Sequence, residues 1–418
     1  MATTPLDHIH HGHIGAVYFS EESALGTIGT ERRAFPVADS VSATPTQDSV
    51  DAGTLSARVF DAKTPLQGNK GGGFKFNYYL QPPATLNAAA ATPDTSATNP
   101  LRIPLKTLFG GESVAAGSDI DSSVSGSSFS VTAGHGSRFP IGQLFAVDTD
   151  STYGFEVVQS RSVSTDALTC YPTLSATPAI GRDISNLNTY YPTNSNALSM
   201  SAGISSLNNA RQYRMRGCTG SVQLKFENNA LAIAEFDLKA VTFDGPDSLS
   251  YAITRTDDTM APPMAVRNSI CWLQACTTTT RVNTAVDALS IALNFGNMHL
   301  TSLTGTLEGK RAVHRGEKLT ETFAKIELTM PDNADVFTWY AAQTELSFAF
   351  IVKHDPSAGG RRFCAVMAPQ CVIDTYPEVM KGEGNLTKLK VTLRAKVNEQ
   401  CTGTATELSE APFLLGLG

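Results

Sequence analysis

Four histidines, His8, His10, His11 and His13, stand within a few positions of one another near the start of the chain. Imidazoles at that density are the residue type that binds zinc, copper or nickel. No cysteine or carboxylate ligand follows at finger spacing, so they read as a histidine-rich N-terminal arm rather than a metal centre. His135, His299, His314 and His354 are scattered. Gly134-His135-Gly136-Ser137 is not the G-x-S-x-G of a nucleophile elbow and does not join a strand to a helix. Gly71–Gly73 is too short for a phosphate loop and lacks the Lys–Ser/Thr that touches phosphate; it reads as a turn opening a strand. Cys271 and Cys276 lie five positions apart and read as reduced strand residues, the alternatives being a small disulfide or half of a metal site. Asp257–Asp258 lacks the alternating oxygen ligands of a calcium loop. Arg311, Arg315 and Lys318, with Lys310 and His314, form the one basic concentration, either a solvated loop or a contact for an acidic neighbour. No nucleophile–base pair or carboxylate pair stands out. The sequence therefore predicts no catalytic residue, no cofactor, no metal and no enzyme.

Composition narrows the class further. The 418 residues suggest two or three domains. Charged residues make up 17%, below the ~25% usual for soluble domains, so Thr, Ser, Asn and Ala must cover much of the exterior. Such a surface suits burial against neighbours of the same kind. The net charge of −7 argues against a protein that grips phosphates with clustered Lys and Arg, and fits a surface that DNA slides past. No apolar run reaches the ~18–20 residues of a membrane span. Met1–Gly12 lacks the regions of a signal peptide, so maturation in the cytoplasm is expected. Cys170, Cys218, Cys271, Cys276, Cys364, Cys371 and Cys401 are read as reduced, mostly buried small hydrophobes.

The elements that would position any site are strands. Val222, Leu224 and Phe226 alternate with polar residues, as do Phe236–Ala240, Leu289–Phe295, Ile326–Met330, Leu346–Phe350 and Leu389–Val397. Strict period two indicates half-buried antiparallel strands. Helices are few: Asp332 caps one through Gln343, and Leu101–Phe109 is the other, ended by Gly110–Gly111. Their order repeats. Strands at 288–296 and 320–330, a helix at 333–343, then strands at 345–352, 362–373 and 386–398 match strands at 54–60 and 73–80, a helix at 101–109, and strands near 197–204, 213–227 and 231–242. Between the matched parts, Phe129–Val131, Leu144–Val147, Gly154–Gln159, Ala167–Tyr171 and Pro178–Gly181 predict a small barrel. Ser/Gly-rich Gly111–Ser128 reads as a flexible lead into it, and Ala84–Asn99 as a surface loop. The predicted division is 1–111 with 183–250 as a discontinuous first β-sandwich, 112–182 as an inserted small β-barrel, and 251–418 as a second β-sandwich.

Several short motifs resemble the tail tube proteins of long-tailed phages. They are Val17–Tyr18–Phe19 with Glu21–Glu22 and Gly26–Thr27; Arg216-Gly217-Cys218-Thr219-Gly220 running into Val222–Phe226; Ala234–Leu238; Leu293-Asn294-Phe295-Gly296-Asn297; and Lys318–Ile351 with Trp339. The resemblance covers most of 200–400 and, more weakly, 15–110. It implies a mainly β fold: two tail-tube-like β-sandwich domains, each with a short flanking helix, whose hairpins join neighbours into a continuous barrel. It also implies a structural virion protein that self-assembles into stacked rings as a conduit for genome delivery. The implied partners are further copies of the chain, a tape measure protein, a tail terminator and tail-tip proteins, with DNA passing unbound, no membrane, and assembly in the host bacterial cytoplasm. The alternative is a β-sandwich tail-tip or capsid-decorating protein that binds a receptor or glycan through loop aromatics such as Tyr78–Tyr79 or Tyr190–Tyr191. On the tube reading, three chains build a pseudo-sixfold ring, and the barrel lies outside, so deleting Gly111–Arg182 leaves assembly intact. The basic row Lys390–Lys396 then points outward or pairs with a neighbour's carboxylates.

Overall fold

The computed structural model describes residues 14–29, 32–34, 41–50, 66–82, 101–151, 154–193, 198–206, 212–247, 264–267, 269–301, 307–308, 310–315, 323–353, 362–382 and 386–418. His8–His13, the predicted strand at 54–60, the loop 84–99, Asp257–Asp258, Lys318 and His354 lie outside these residues. From the N-terminus come β1 (Ile14–Glu21), β2 (Arg32–Ala34), β3 (Ser42–Val50), β4 (Leu66–Tyr79), α1 (Arg102–Phe109) and β5 (Gly110–Ser113). Next are β6 (Ser118–Ser125), β7 (Ser128–Val131), β8 (Leu144–Ser151), β9 (Gly154–Ser164), β10 (Ala167–Tyr171) and β11 (Asp183–Asn186). Then follow β12 (Asn188–Pro192), β13 (Met200–Ser206), β14 (Gln212–Glu227), β15 (Ile233–Ala240), β16 (Thr242–Asp247), β17 (Ile270–Ala275), β18 (Ala288–Asn294), β19 (Asn297–Thr301) and β20 (Lys310–Arg315). The chain closes with β21 (Ala324–Pro331), α2 (Ala334–Ala342), β22 (Leu346–Lys353), β23 (Phe363–Ile373), β24 (Glu378–Lys381), β25 (Thr387–Ala395) and β26 (Leu414–Leu417).

The protein is mainly β. Eight antiparallel strands form one run in the order β3–β4–β15–β14–β18–β21–β25–β24. A second run, β17–β22–β23–β26–β12–β5, packs its apolar side against the first. The alternation seen in sequence explains the layering: Leu224, Phe226, Phe236, Ile291, Leu328 and Val391 are all buried in the shared core. Phe76 and Phe236, directly opposite in register, stack with centroids 4.5 Å apart. α1 is sealed in this core by Ile103, Leu105, Leu108 and Phe109, and Gly110 ends it in the left-handed region at φ +84°. α2 is capped by Asn333, whose side chain accepts from Asp335 N at 2.9 Å, and not by the predicted Asp332. Only Val336 of α2 is buried.

Three other expectations change. Gly71–Gly73 lies inside β4 rather than in a turn. A Cβ on Gly72 would stand 2.7 Å from the Thr44 carbonyl, so glycine lets β3 close on β4. Gly111–Ser128 is not a lead but holds β5 and β6; in β6 the buried Ser118 and Ile120 alternate with Asp119 and Asp121. Pro178–Gly181 is a turn, and the strand is β11 just beyond it.

β6 to β11 form a closed barrel in the order β10–β7–β6–β11–β8–β9, filled by Phe129, Phe139, Phe145, Val147, Val158 and Leu168. It is entered from β5 and left into β12. These two strands are antiparallel neighbours, with Ser113 opposite Thr189. The barrel does not stand apart from the sandwich. Leu144, Ala146, Phe155, Val157 and Tyr171 on its outer side share a buried cluster with Trp272, Ile351, Phe363, Met367 and Leu414 of the second run. Glu156 in that contact is fully buried; it accepts from Arg281 at 3.1 Å and from Ser175 N at 3.2 Å. This packing argues against the expectation that the barrel can be deleted without effect.

Lys353 sits in the same contact, donating to the Phe155 carbonyl at 2.7 Å. Burial, then the charge of Arg281, lowers its pKa from 10.5 to about 8. Between those values the unfolded chain holds the proton and the folded chain does not. Raising the pH from about 8 to 10.5 therefore stabilises the fold through this group. The buried thiols act in the opposite sense above pH 9, since burial pushes Cys170 and Cys364 up to about 12. The effect of Lys353 is thus read as a difference. Lys353→Met is expected to be the more stable chain at pH 7, with its advantage shrinking towards pH 10.5 in paired thermal melts. An advantage independent of pH would refute the assignment.

Candidate assembly surface

The polar face of the eight-strand run carries charges of both signs in contact with one another. Lys75 meets Asp237 at 2.7 Å, Lys225 meets Glu235 at 2.8 Å, and Lys325 meets Glu327 at 2.8 Å, with Lys390 Nζ 3.6 Å from the same carboxylate. The hydrogen bond from Lys325 and the neighbouring Lys390 charge hold Glu327 below the usual carboxylate range. A groove of about 780 Å³ lies over this face, lined by Lys75, Thr219, Gln223, Asp237, Asn294 and His299 among others. Its walls alternate in sign, so it offers no concentrated field to an anion or a cation. The row Lys390–Lys396, read as outward or neighbour-paired, is partly exposed and finds carboxylates within its own chain: Lys390 meets Glu327, Arg394 meets Asp374 at 3.5 Å and Lys396 meets Glu345 at 2.5 Å, with Lys388 just ahead of it meeting Asp287 at 2.8 Å.

Two of the motifs that carried the resemblance, Glu21–Thr27 and Arg216–Gly220, meet in space. The Glu22 carboxylate accepts from Gly26 N at 2.8 Å, Gly217 N at 2.9 Å and Ser199 Oγ at 2.6 Å. Gly217 has φ +65°, and a Cβ there would stand 2.9 Å from both Leu25 and Val241. At this point β14 leaves the eight-strand run and its N-terminal part pairs with β13 and β16 instead. His299 Nε2 lies 2.6 Å from the Gly217 carbonyl, and burial lowers its pKa. These groups shape a bend in β14.

The remaining sequence candidates are dispersed over the fold. Gly134–Ser137 is a turn latched by Asp166, which accepts from Gly134 N at 3.0 Å and Gly136 N at 2.8 Å. Those backbone donors hold Asp166 below the usual carboxylate range. The seven thiols are unpaired; six are buried, and Cys401 is half-buried. Lys310–Arg315, read as a solvated loop or a contact for an acidic neighbour, is β20 of a hairpin with β19. Tyr78–Tyr79 and Tyr190–Tyr191 lie in strands β4 and β12 rather than on loops; Tyr78 and Tyr190 are buried, and Tyr79 and Tyr191 half-buried. Among the described residues, no group of three or more His, Cys, Asp or Glu side chains could hold a metal, and no helix is long and apolar enough to cross a membrane.

What the sequence did not indicate is the status of the two ends of the run. Among the described residues β3 pairs only with β4, and β24 only with β25, so both present an unpaired edge. Residues 42 to 48 of β3 are largely exposed. Val379 of β24 is 59% exposed. An open edge of this kind is a template for another strand. The two halves of the run also share one internal register. Ala43 opposite Phe74 corresponds to Ile291 opposite Ile326. Phe74 opposite Leu238 corresponds to Ile326 opposite Leu393, and Leu224 opposite Ala234 to Val379 opposite Leu389. β3–β4–β15–β14 and β18–β21–β25–β24 are thus two copies of one four-strand pattern, joined where β14 meets β18. No protein-family model matches the chain, and no curated protein matches it.

Proposed function

We propose that this protein is a tail tube subunit with a duplicated tube domain, which assembles head to tail into stacked rings and serves as a conduit for genome delivery in a phage virion. The observation that carries the reading is the β14·β18 junction. Inside the chain, the last strand of one four-strand pattern pairs with the first strand of the next. The same two kinds of strand, β24 and β3, are left open at the ends of the run. A head-to-tail contact is heterologous, and it closes into a ring when the rotation permits. Closure removes the open edges. On this reading three chains complete a pseudo-sixfold ring. Stacked rings would meet a tape measure protein inside and terminator and tip proteins at the ends.

The polar face, where Lys75, Lys225, Lys325 and Lys390 already meet carboxylates, supports a lumen that does not grip DNA. Each unpaired Lys or Arg would add a salt-dependent phosphate contact. Electron microscopy of the purified protein in negative stain tests the reading. Rings or tubes with three chains per ring are expected, with no measurable DNA binding at physiological salt. A monodisperse monomer at high concentration would refute self-assembly. Tight DNA binding that falls steeply with salt would replace the conduit by a DNA-anchoring role.

A further inference from the structure

We infer that the seam between copies pairs β24 of one chain with β3 of a second in a fixed register: Val379 opposite Ala43, Glu378 opposite Thr44 and Met380 opposite Ser42 of the second copy. The inference rests on the self-assembly reading and adds to it which atoms meet.

The register follows from the internal repeat. The β14–β15 and β24–β25 hairpins fix the alignment of the two halves. Glu227 and Leu231 flank a connection as long as the one flanked by Gly382 and Leu386, where Gly382 N donates to the Leu386 carbonyl at 2.8 Å. With the hairpins superposed, Leu224 falls on Val379. The shared pairings then carry Ala43 onto Ile291. Inside the chain Leu224 lies opposite Ile291, and both are wholly buried. Val379 and Ala43 are the same two positions with the partner missing.

Backbone chemistry agrees. Because Gly382 and Leu386 form a hydrogen-bonded pair, alternation makes Met380–Lys388 and Glu378–Lys390 hydrogen-bonded pairs too. The N–H and C=O of Val379 therefore point to the open edge. On β3 the same parity turns Ala43 and Pro45 outward. In the inferred register Pro45 faces Pro377, so at this step neither strand brings an N–H that the other leaves unpaired.

Cysteine pairs test the register. Glu378 and Thr44 would form a non-hydrogen-bonded pair, whose Cα separation of about 4.5 Å suits a disulfide. A chain carrying Glu378→Cys and Thr44→Cys, assembled and then oxidised, is expected to give covalent dimers and trimers and nothing larger. Glu378→Cys with Ala43→Cys puts the thiols on opposite faces and should cross-link roughly tenfold less. The native thiols are buried or half-buried and compete little. Val379→Pro removes only an edge-facing N–H; it should leave a chain that melts as wild type but stays monomeric. If tubes form while the Glu378–Thr44 pair stays reduced, if the shifted pair cross-links as well, or if Val379→Pro still forms rings, the seam is wrong and self-assembly stands. If the unmodified chain forms no rings, the self-assembly reading itself falls.

Discussion

Excising the barrel is expected to unfold the rest of the chain. The cut is favourable by backbone geometry. β5 and β12 are antiparallel neighbours, so removing residues 114–187 joins Ser113 to Asn188 across a short gap. Side-chain packing decides otherwise. Trp272, Ile351, Phe363, Met367 and Leu414 share a buried cluster with Leu144, Phe155, Val157 and Tyr171 of the barrel. Burying one large apolar side chain is worth about 1.5–3 kcal/mol. Uncovering three of them approaches the ~5–15 kcal/mol that stabilises a whole domain. Arg281 would also lose Glu156, the carboxylate 3.1 Å away. The excised chain should be insoluble or melt far below the full chain. A second version, with Ile351→Thr and Met367→Lys added to make the uncovered face polar, should recover solubility. If the simple excision melts like the full chain, the barrel is an appendage and this account of the contact is wrong.

The parts legible in the sequence were those whose physics is local. Period two in Val222–Phe226 and Leu389–Leu393 comes from one face being buried, and the predicted strands fall within a few residues of β14 and β25. The helix expected from Asp332 to Gln343 is Ala334–Ala342, because its capping and turn residues are local signals too. β3 was missed for a physical reason. Ser42–Val50 has little apolar alternation and contains Pro45, since much of it is exposed in the isolated chain. β24 is only four residues, too short for a period to show. The barrel was recognised as a unit. Its burial against the second run was not, because the residues that meet are more than a hundred positions apart. The shared register of the two halves likewise lies in pairings between distant strands, with almost no residue identity to announce it.

Removing Leu414–Gly418 is expected to be as damaging as removing the barrel, although it takes away only five residues. Leu-Leu-Gly-Leu has no period and reads as a tail. In the fold it is β26, a central strand between β23 and β12. It therefore joins strands from both halves. Leu415 and Leu417 face the main core, and Leu414 faces the barrel contact. Gly416 stands where a Cβ would meet Leu187 at 2.8 Å and Leu144 at 3.0 Å, so the strand lies close against the barrel and its exit segment. Gly418 N donates to the Phe363 carbonyl at 3.0 Å, and Phe363 N donates back to Gly418. Without β26, β12 and β23 each lose a ladder and leave buried backbone groups unpaired, at about 1–3 kcal/mol for each such group. Three buried leucines are lost as well. Truncation should abolish the cooperative melt. Leu415→Ala keeps the ladder and isolates the packing; it should lower unfolding free energy by about 2–5 kcal/mol in denaturant titration. The ordering is the test. Truncation must be far worse than Leu415→Ala, because it removes the strand that ties the two halves together. A truncated chain that still melts cooperatively near the wild-type temperature would mean that β23 and β12 hold together without it.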